Sequence, residues 1–369
     1  MRVFEGLESV GGEMDGCAVS VGNFDGVHVG HRAILAAMGE TSKRQNVETS
    51  KVENRKQKAK SRNPGVEPGG ATTDAPGQFD ASRKPQVASR TSHDSGLKSP
   101  VSPLVVVTFE PHPVEVLRPH VAPGRLTPWA EKARQLAAAG ADAVVRLRAD
   151  AALLAIEAEA FVETLLVRYL RPSWIVEGPD FGFGRGRRGN VDLLRSLGGR
   201  FGFEVRTVGP ATATLADGNH VPVSSTRIRE ALVRGDVENA ATMLGRPYAL
   251  VGTVRHGAGQ GRMLGYPTIN LDAGGQLVPG EGVYAGRTEI DGHSYLAAIS
   301  IGRRPTMGGD DALAVEAFVL DAEGDWYGRP ARVMPVRRLR DQRRFESPAA
   351  LAEQIGRDVE EVRRRMKGE

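Results

Sequence analysis

Between Cys17 and Val208, short apolar runs alternate with stretches of helical spacing. Cys17–Val21 reads as a buried strand and His31–Met38 as the helix that follows it. Leu104–Phe109 (Leu-Val-Val-Val-Thr-Phe) is the continuous β-branched run of a strand covered on both faces. Thr127-Pro128 predicts an N-cap and a first-turn proline for a helix reaching Gly140. Asp142–Leu147 (strand), Ala158–Tyr169 (helix), Trp174–Glu177 (strand), Val191–Leu197 (helix) and Glu204–Val208 (strand) continue the alternation. Strand and helix taking turns in this way predict an open, doubly wound, Rossmann-like α/β sheet.

The texture then changes. Ser225 is expected to cap a helix through Arg234, and Val237–Leu244 forms another short one. Beyond Arg246-Pro247, glycine turns separate short, partly alternating strands at Leu250–Arg255, Gly282–Glu289, Tyr295–Ile301, Ala314–Leu320 and Ala331–Val336. These predict a small antiparallel β-barrel, with Pro335 placing the last strand at an edge or a strand end. Ser347-Pro348 opens a C-terminal amphipathic helix to about Met366. The boundary is expected near Gly245–Tyr248, dividing the chain into residues 1–246 and 247–369.

One segment fits neither pattern. From Thr41 to Ser102 there are twelve Lys/Arg against six Asp/Glu, and only seven of Ile, Leu, Val, Phe and Met in 62 residues. So little apolar surface cannot offset chain entropy, and about 40–102 is expected to be a disordered insertion between a helix and a strand. A basic arm for RNA is the alternative there. The net charge of +4 is less than the +6 of this segment, so the remainder is slightly acidic and no nucleic-acid partner is expected. Cys17 alone excludes an internal disulfide. No signal-peptide core and no run of about 20 apolar residues is seen, so no membrane partner and a cytoplasmic location are expected.

Candidate chemistry gathers at two places. The first strand runs into Val21-Gly22-Asn23-Phe24-Asp25-Gly26-Val27-His28-Val29-Gly30-His31, with two histidines at a helix N-terminus. Free amides and the positive end of the helix dipole suit a triphosphate, and two imidazoles can donate to oxygens that gain charge as pyrophosphate leaves. A zinc pair is the rival, but two histidines without a third ligand make a poor site. Gly184-x-Gly186-x-x-Gly189 matches a dinucleotide fingerprint, yet no strand immediately precedes it. Farther on, Gly257, Gly259 and Gly261 form a loop able to wrap phosphate, and Thr268 and Asn270 alternate onto one strand face as oxygen donors for Mg²⁺. An ordinary glycine turn before a strand is the plainer reading of that loop.

The longer strings are more specific. The opening motif, Val107-Thr108-Phe109-Glu110-Pro111-His112-Pro113, Gly178–Gly189 and Ser224-Ser225-Thr226-Arg227-Ile228-Arg229 follow one another as in bacterial bifunctional riboflavin kinase/FAD synthetases. So do Gly261-Arg262-Met263-Leu264-Gly265-Tyr266-Pro267-Thr268-Ile269-Asn270-Leu271, Gly282–Gly286, Ile301–Thr306, Val315-Glu316 and Tyr327-Gly328. The chain resembles that family over all but Gly39–Ser102.

The resemblance implies an amino-terminal nucleotidyltransferase domain and a carboxy-terminal flavokinase barrel, which together turn riboflavin into FMN and then FAD at the expense of ATP. It implies His28 and His31 as catalytic, with Gly22, Asn23, Phe24, Asp25, Gly26, Ser225, Thr226 and Arg229 binding ATP for adenylyl transfer. Asp180, Phe181, Phe183, Arg185 and Arg188 fall on the flavin side. In the kinase, Gly257, Gly259, Gly261, Arg262 and Thr268 would hold ATP, Thr268 and Asn270 Mg²⁺, and Glu316 would be the general base. FMN and FAD are then substrate and product, not prosthetic groups. Ile269, Ser300 and Phe318 depart from the family's Ala, Asn and His.

Overall fold

The structure, a computed structural model, describes residues 1–43, 102–257, 259–303 and 313–367. Of the insertion expected at about 40–102, residues 44–101 lie outside these, as do Ala258 and the 304–306 end of one family motif.

Six parallel strands form the first sheet. They are β1 (Arg2–Glu5), β2 (Ala18–Val21), β3 (Leu104–Glu110), β4 (Ala143–Arg148), β5 (Trp174–Glu177) and β6 (Glu204–Thr207), in the order β1-β4-β3-β2-β5-β6. β1 was not legible in advance because Arg2, Val3 and Glu5 are exposed on an edge, so its four residues carry no buried face. Strand order reverses between β2 and β5. Their pairing covers only Ala18↔Trp174 and Val19↔Ile175, so the carboxyl ends splay apart there, where open α/β sheets bind ligands.

Helix α1, residues 29–43, leaves β2 and extends five residues past the expected Met38. The insertion therefore begins no earlier than Arg44. Ser42 Oγ donates to the carbonyl of Ser102 at 2.7 Å, so the two ends of the inserted segment meet. After β3 come α2 (Pro113–Leu117) and α3 (Trp129–Ala138). The α3 N-cap is Pro128, one residue later than expected, because Thr127 is drawn into another contact described below. Beyond β4 lie α4 (Ala151–Leu154), then α5 (Ala158–Phe161) and α6 (Arg168–Leu170), joined by a π-wound stretch, Val162–Val167. α7 (Val191–Phe201) is capped by the Asn190 side chain and ends on left-handed Gly202.

A small hairpin, β7 (Thr212–Thr214) and β8 (His220–Pro222), precedes α8 (Ser225–Val233) and α9 (Val237–Leu244). The cap of α8 is Ser224, whose side chain accepts from the Arg227 amide; Ser225, expected to be the cap, is the first helical residue.

The second body is a closed antiparallel barrel of β9 (Leu250–Arg255), β10 (Thr268–Asp272), β11 (Gly282–Ile290), β12 (His293–Arg303), β13 (Leu313–Val319) and β14 (Pro330–Arg340), with α10 (Gln260–Met263) in the loop before β10. Closure removes the edge expected for Pro335. It sits instead beside a bulge, where the register passes from Ala285↔Arg337 to Gly286↔Pro335, and a bulge tolerates a missing N–H. Ile269, Ile299, Ile301, Val315, Ala317 and Val319 fill the interior. α11 (Pro348–Arg365), capped by Ser347, covers part of the outer face through Val359 and Val362. Ile228, Leu232, Val237 and Leu244 of α8 and α9 belong to the same buried core as the barrel interior.

Candidate active sites

The first site is built around a loop that its neighbours over-determine. Phe24 and Val27 have φ of 48° and 38° and Gly26 of 86°, left-handed values that a β-branched valine adopts only under constraint. The constraint is visible. Asp25 is 5% exposed and accepts from the amides of Leu126 and Thr127, both at 3.0 Å, from Thr127 Oγ1 at 3.2 Å and from Arg229 Nη2 at 2.5 Å. The Gly26 amide donates to Thr127 Oγ1, and Ser225 Oγ donates to the Asp25 carbonyl. Arg246 donates to the carbonyls of Gly26 and Val27. At Gly26 a Cβ would come 3.0 Å from Leu126, which with its positive φ explains the glycine.

The fixed loop delivers His28 to the position just ahead of α1 and His31 to its first turn. Their rings stack at 3.7 Å, and His28 Nδ1 accepts from the His31 amide, leaving Nε2 to carry the proton of the neutral ring. Burial lowers the His28 pKa to about 4 and holds His31 well below the usual imidazole value, so both rings are neutral at pH 7. His31 Nδ1 is buried with no hydrogen-bond partner among the described residues. An unpartnered buried nitrogen beside a helix N-terminus is chemically suited to an arriving anion.

Across from the histidines lies a cluster of alternating charge. Lys132 Nζ is 3.5 Å from Glu110, and burial lowers the lysine's pKa. Arg125 pairs with Glu110 and Glu115 at 3.1 and 3.2 Å. The His112 side chain caps α2 by accepting from the Val114 amide and meets Asn23 at 2.9 Å. Lys132, Arg125 and Glu110 were not among the expected site residues. A lysine at the start of an amphipathic helix is ordinarily solvated, and only the packing of α3 against the cluster turns it inward.

At the splayed end of β5, Glu177 Oε1 accepts from the Val21 amide at 2.6 Å, and burial raises its pKa well above the usual carboxylate range. The loop beyond divides the expected flavin residues. Phe183 is 5% exposed, stacks on Phe181 at 5.4 Å and bridges to Gly189, so it belongs to the core under the loop. Phe181 is half-buried, whereas Asp180, Arg185 and Arg188 are exposed; Arg185 pairs with Glu157 at 3.4 Å.

The second site lies on the outside of the barrel. Thr268 and Asn270 alternate with the buried Ile269 and Leu271, and Asn270 is registered opposite Glu316, which in turn is opposite Ser300. Thr268 Oγ1 is 3.4 Å from Glu316 Oε2. Gln342 donates to Ser300 Oγ at 2.8 Å, adding an amide that the motifs did not single out. The glycine loop folds back over this row. A Cβ on Gly257 would lie 2.1 Å from Asn270 Nδ2, and one on Gly261 2.4 Å from the Tyr266 carbonyl. Gly259 and Arg262 are exposed, and the His256 ring stacks on Tyr327 at 3.7 Å.

A parallel sheet presenting buried imidazoles at its switch point, joined to a barrel presenting hydroxyl, amide and carboxylate oxygens under a glycine loop, is the build of a two-site nucleotide-using transferase. Comparison with known proteins makes this specific. The sequence model of FAD synthetases matches residues 12–64 and 92–227, and that of riboflavin kinases matches 244–366. The bifunctional riboflavin kinase/FMN adenylyltransferase of Escherichia coli K12 is 32% identical over 360 residues, 97% of this chain and 96% of that one. Its counterpart in Pseudomonas fluorescens is 35% identical over 366 residues, 98% and 97%. A crystal structure from Streptococcus pneumoniae, named as a macrolide-efflux protein, has a TM-score of 0.73 at 25% identity over 98% of both chains. The chain belongs to the bifunctional riboflavin kinase/FMN adenylyltransferase family, and it has both activities. Among the described residues no helix is long and apolar enough to cross a membrane.

Proposed function

We propose that the two activities are divided between the two bodies: residues 1–246 adenylylate FMN, and residues 247–369 phosphorylate riboflavin. The pairing of stacked, neutral His28 and His31 at the α1 N-terminus carries the first half of this reading. There a phosphate oxygen of FMN attacks the α-phosphorus of ATP, and the bond to pyrophosphate breaks. Neutral imidazole N–H groups donate to the phosphate oxygens as charge grows on the leaving pyrophosphate, at no cost in solvent reorganisation. Gly22, Asn23, Phe24, Gly26 and Thr226 shape the phosphate loop; Asp25, Ser225 and Arg229 hold it closed. Phe181, Asp180, Arg185 and Arg188 face the flavin, with Phe183 supporting them from the core.

In the barrel, Glu316 takes the proton of the ribityl 5′-hydroxyl as that oxygen attacks the γ-phosphorus of ATP and ADP departs. Gly257, Gly259, Gly261 and Arg262 wrap the phosphates. Neutral oxygen donors on one strand face suit Mg²⁺, which takes few protein ligands and keeps phosphate and water oxygens. Thr268 and Asn270 would hold it. When bound, Mg²⁺ neutralises phosphate charge. The enzyme works in the cytoplasm, without nucleic acid or membrane partners.

The division is tested by giving His28→Ala and Glu316→Gln each half-reaction separately. His28→Ala should accumulate FMN with very little FAD; Glu316→Gln should form appreciable FAD only when FMN is supplied. A folded variant losing both products equally would overturn it.

A further inference from the structure

The segment Arg125–Thr127 forms a wall of the adenylyl-transfer pocket and is held from two sides. On the pocket side its amides bond the Asp25 carboxylate. On the other side it lies against the barrel. The Leu277 amide donates to the Arg125 carbonyl at 2.8 Å, and Arg125 and Gln276 form an isolated parallel bridge. Gln276, 5% exposed, donates from Nε2 to the carbonyls of Leu126 at 3.0 Å and Ala249 at 2.6 Å, while its Oε1 accepts from the Val251 amide at 2.9 Å. One barrel amide therefore ties the wall to the first barrel strand.

Two more contacts point the same way. Arg332 of β14 reaches Glu131 Oε1 at 3.2 Å, one residue from Lys132, and Glu131 is 4% exposed. Arg229, which completes the hold on Asp25, rides on α8, whose buried face shares its core with the barrel. Neither family match covers residues 228–243, where Arg229 lies.

We propose that the barrel completes the adenylyl-transfer pocket, with Gln276 a positioning residue for FMN adenylylation although it lies among the kinase's own strands. This rests on the assignment of that pocket to His28 and His31. A displaced wall moves the Asp25-held loop and with it the imidazoles, and misplacement by about 1 Å can cost ~10²-fold in rate. The side-chain bonds of Gln276 run to Leu126, Tyr248, Ala249 and Val251, away from the row of Thr268, Asn270 and Glu316, so the kinase reaction in the same chain reports whether the barrel is intact.

The test uses the full-length enzyme and two variants. Gln276→Leu removes the bonds to Leu126, Ala249 and Val251, and one to Tyr248 Oη, at similar volume; Gln276→Glu keeps the acceptor for Val251 while losing the donors to Leu126 and Ala249. The half-reactions are measured separately. The expected result is a fall in kcat for FMN adenylylation of roughly ten- to a hundred-fold, with KM for FMN little changed and riboflavin phosphorylation within about two-fold. Unchanged adenylylation in both variants would overturn the proposal, and so would a parallel loss of both half-reactions in Gln276→Glu. His28→Ala run beside them separates the failures: if it too leaves FAD formation intact, the pocket assignment is what fails.

Discussion

The adenylyl-transfer pocket and the kinase site handle phosphate with opposite designs. In the first, His28 is 7% exposed, His31 Nδ1 is sealed from water, and Lys132 and Arg125 are already paired with Glu110 and Glu115. Strained backbone at Phe24 and Val27 is pinned by bonds from Leu126 and Thr127, from Ser225, from Arg246, and from Thr108, whose Oγ1 donates to the Asn23 carbonyl. In the second, Thr268, Asn270 and Glu316 stand half-buried on the outer barrel face, beneath a loop whose Gly259 and Arg262 are exposed. A pocket built in advance suits a reaction whose charge must be met by fixed donors. An open row of oxygens under a glycine loop suits a site that its nucleotide helps to assemble.

The largest effects should fall where the chemistry is. Glu316→Gln keeps the shape of the side chain and removes the proton acceptor, so riboflavin phosphorylation should fall roughly 10²–10⁴-fold with ATP binding near normal. Initial rates and nucleotide titration check this. Thr268→Ala should instead weaken ATP binding as well as turnover. In the closed pocket, His28→Ala removes one fixed donor and should cost adenylylation about 10²–10³-fold.

An effect of middling size separates the two designs by pH. The His28 pKa is about 4 in the folded protein against 6.5 in an unfolded chain, so between those values the unfolded chain binds a proton that the folded one refuses. Stability contributed by the neutral ring is complete above pH 6.5 and is lost as pH falls towards 4, by about 3 kcal/mol. Thermal unfolding of the parent and of His28→Gln at pH 7 and 4.5 should show the smaller acid loss in the variant. A matching acid loss would place the sensitivity in other groups.

What could be read in advance follows from how local each signal is. β3 was legible because Val105, Val106 and Val107 are buried on both faces and need nothing else to declare a strand. The motif strings located both sites because their chemistry sits on consecutive residues. The clamp on Asp25 was not legible, since its partners lie 101 to 204 positions away and Thr127 and Ser225 look like ordinary caps. β1 and the β7–β8 hairpin escaped because their strands are short and mostly exposed. Phe183 carried a flavin motif, yet its ring belongs to the core formed by Phe161 and Leu194.

The smallest effect expected is from excision. The FAD synthetase match skips 65–91, and Ser42 already meets Ser102, so removing residues 65–91 should leave both activities within about two-fold. Lost adenylylation after a clean deletion would make that segment part of the pocket.

The division of labour between the two regions is tested most directly by mixing the two crippled chains. His28→Ala and Glu316→Gln are each supplied with riboflavin and ATP, alone and in equal mixture, and FMN and FAD are followed over time. The first alone should accumulate FMN, the second alone should make little of either, and the mixture should produce FAD. A mixture forming no more FAD than either variant alone would contradict it.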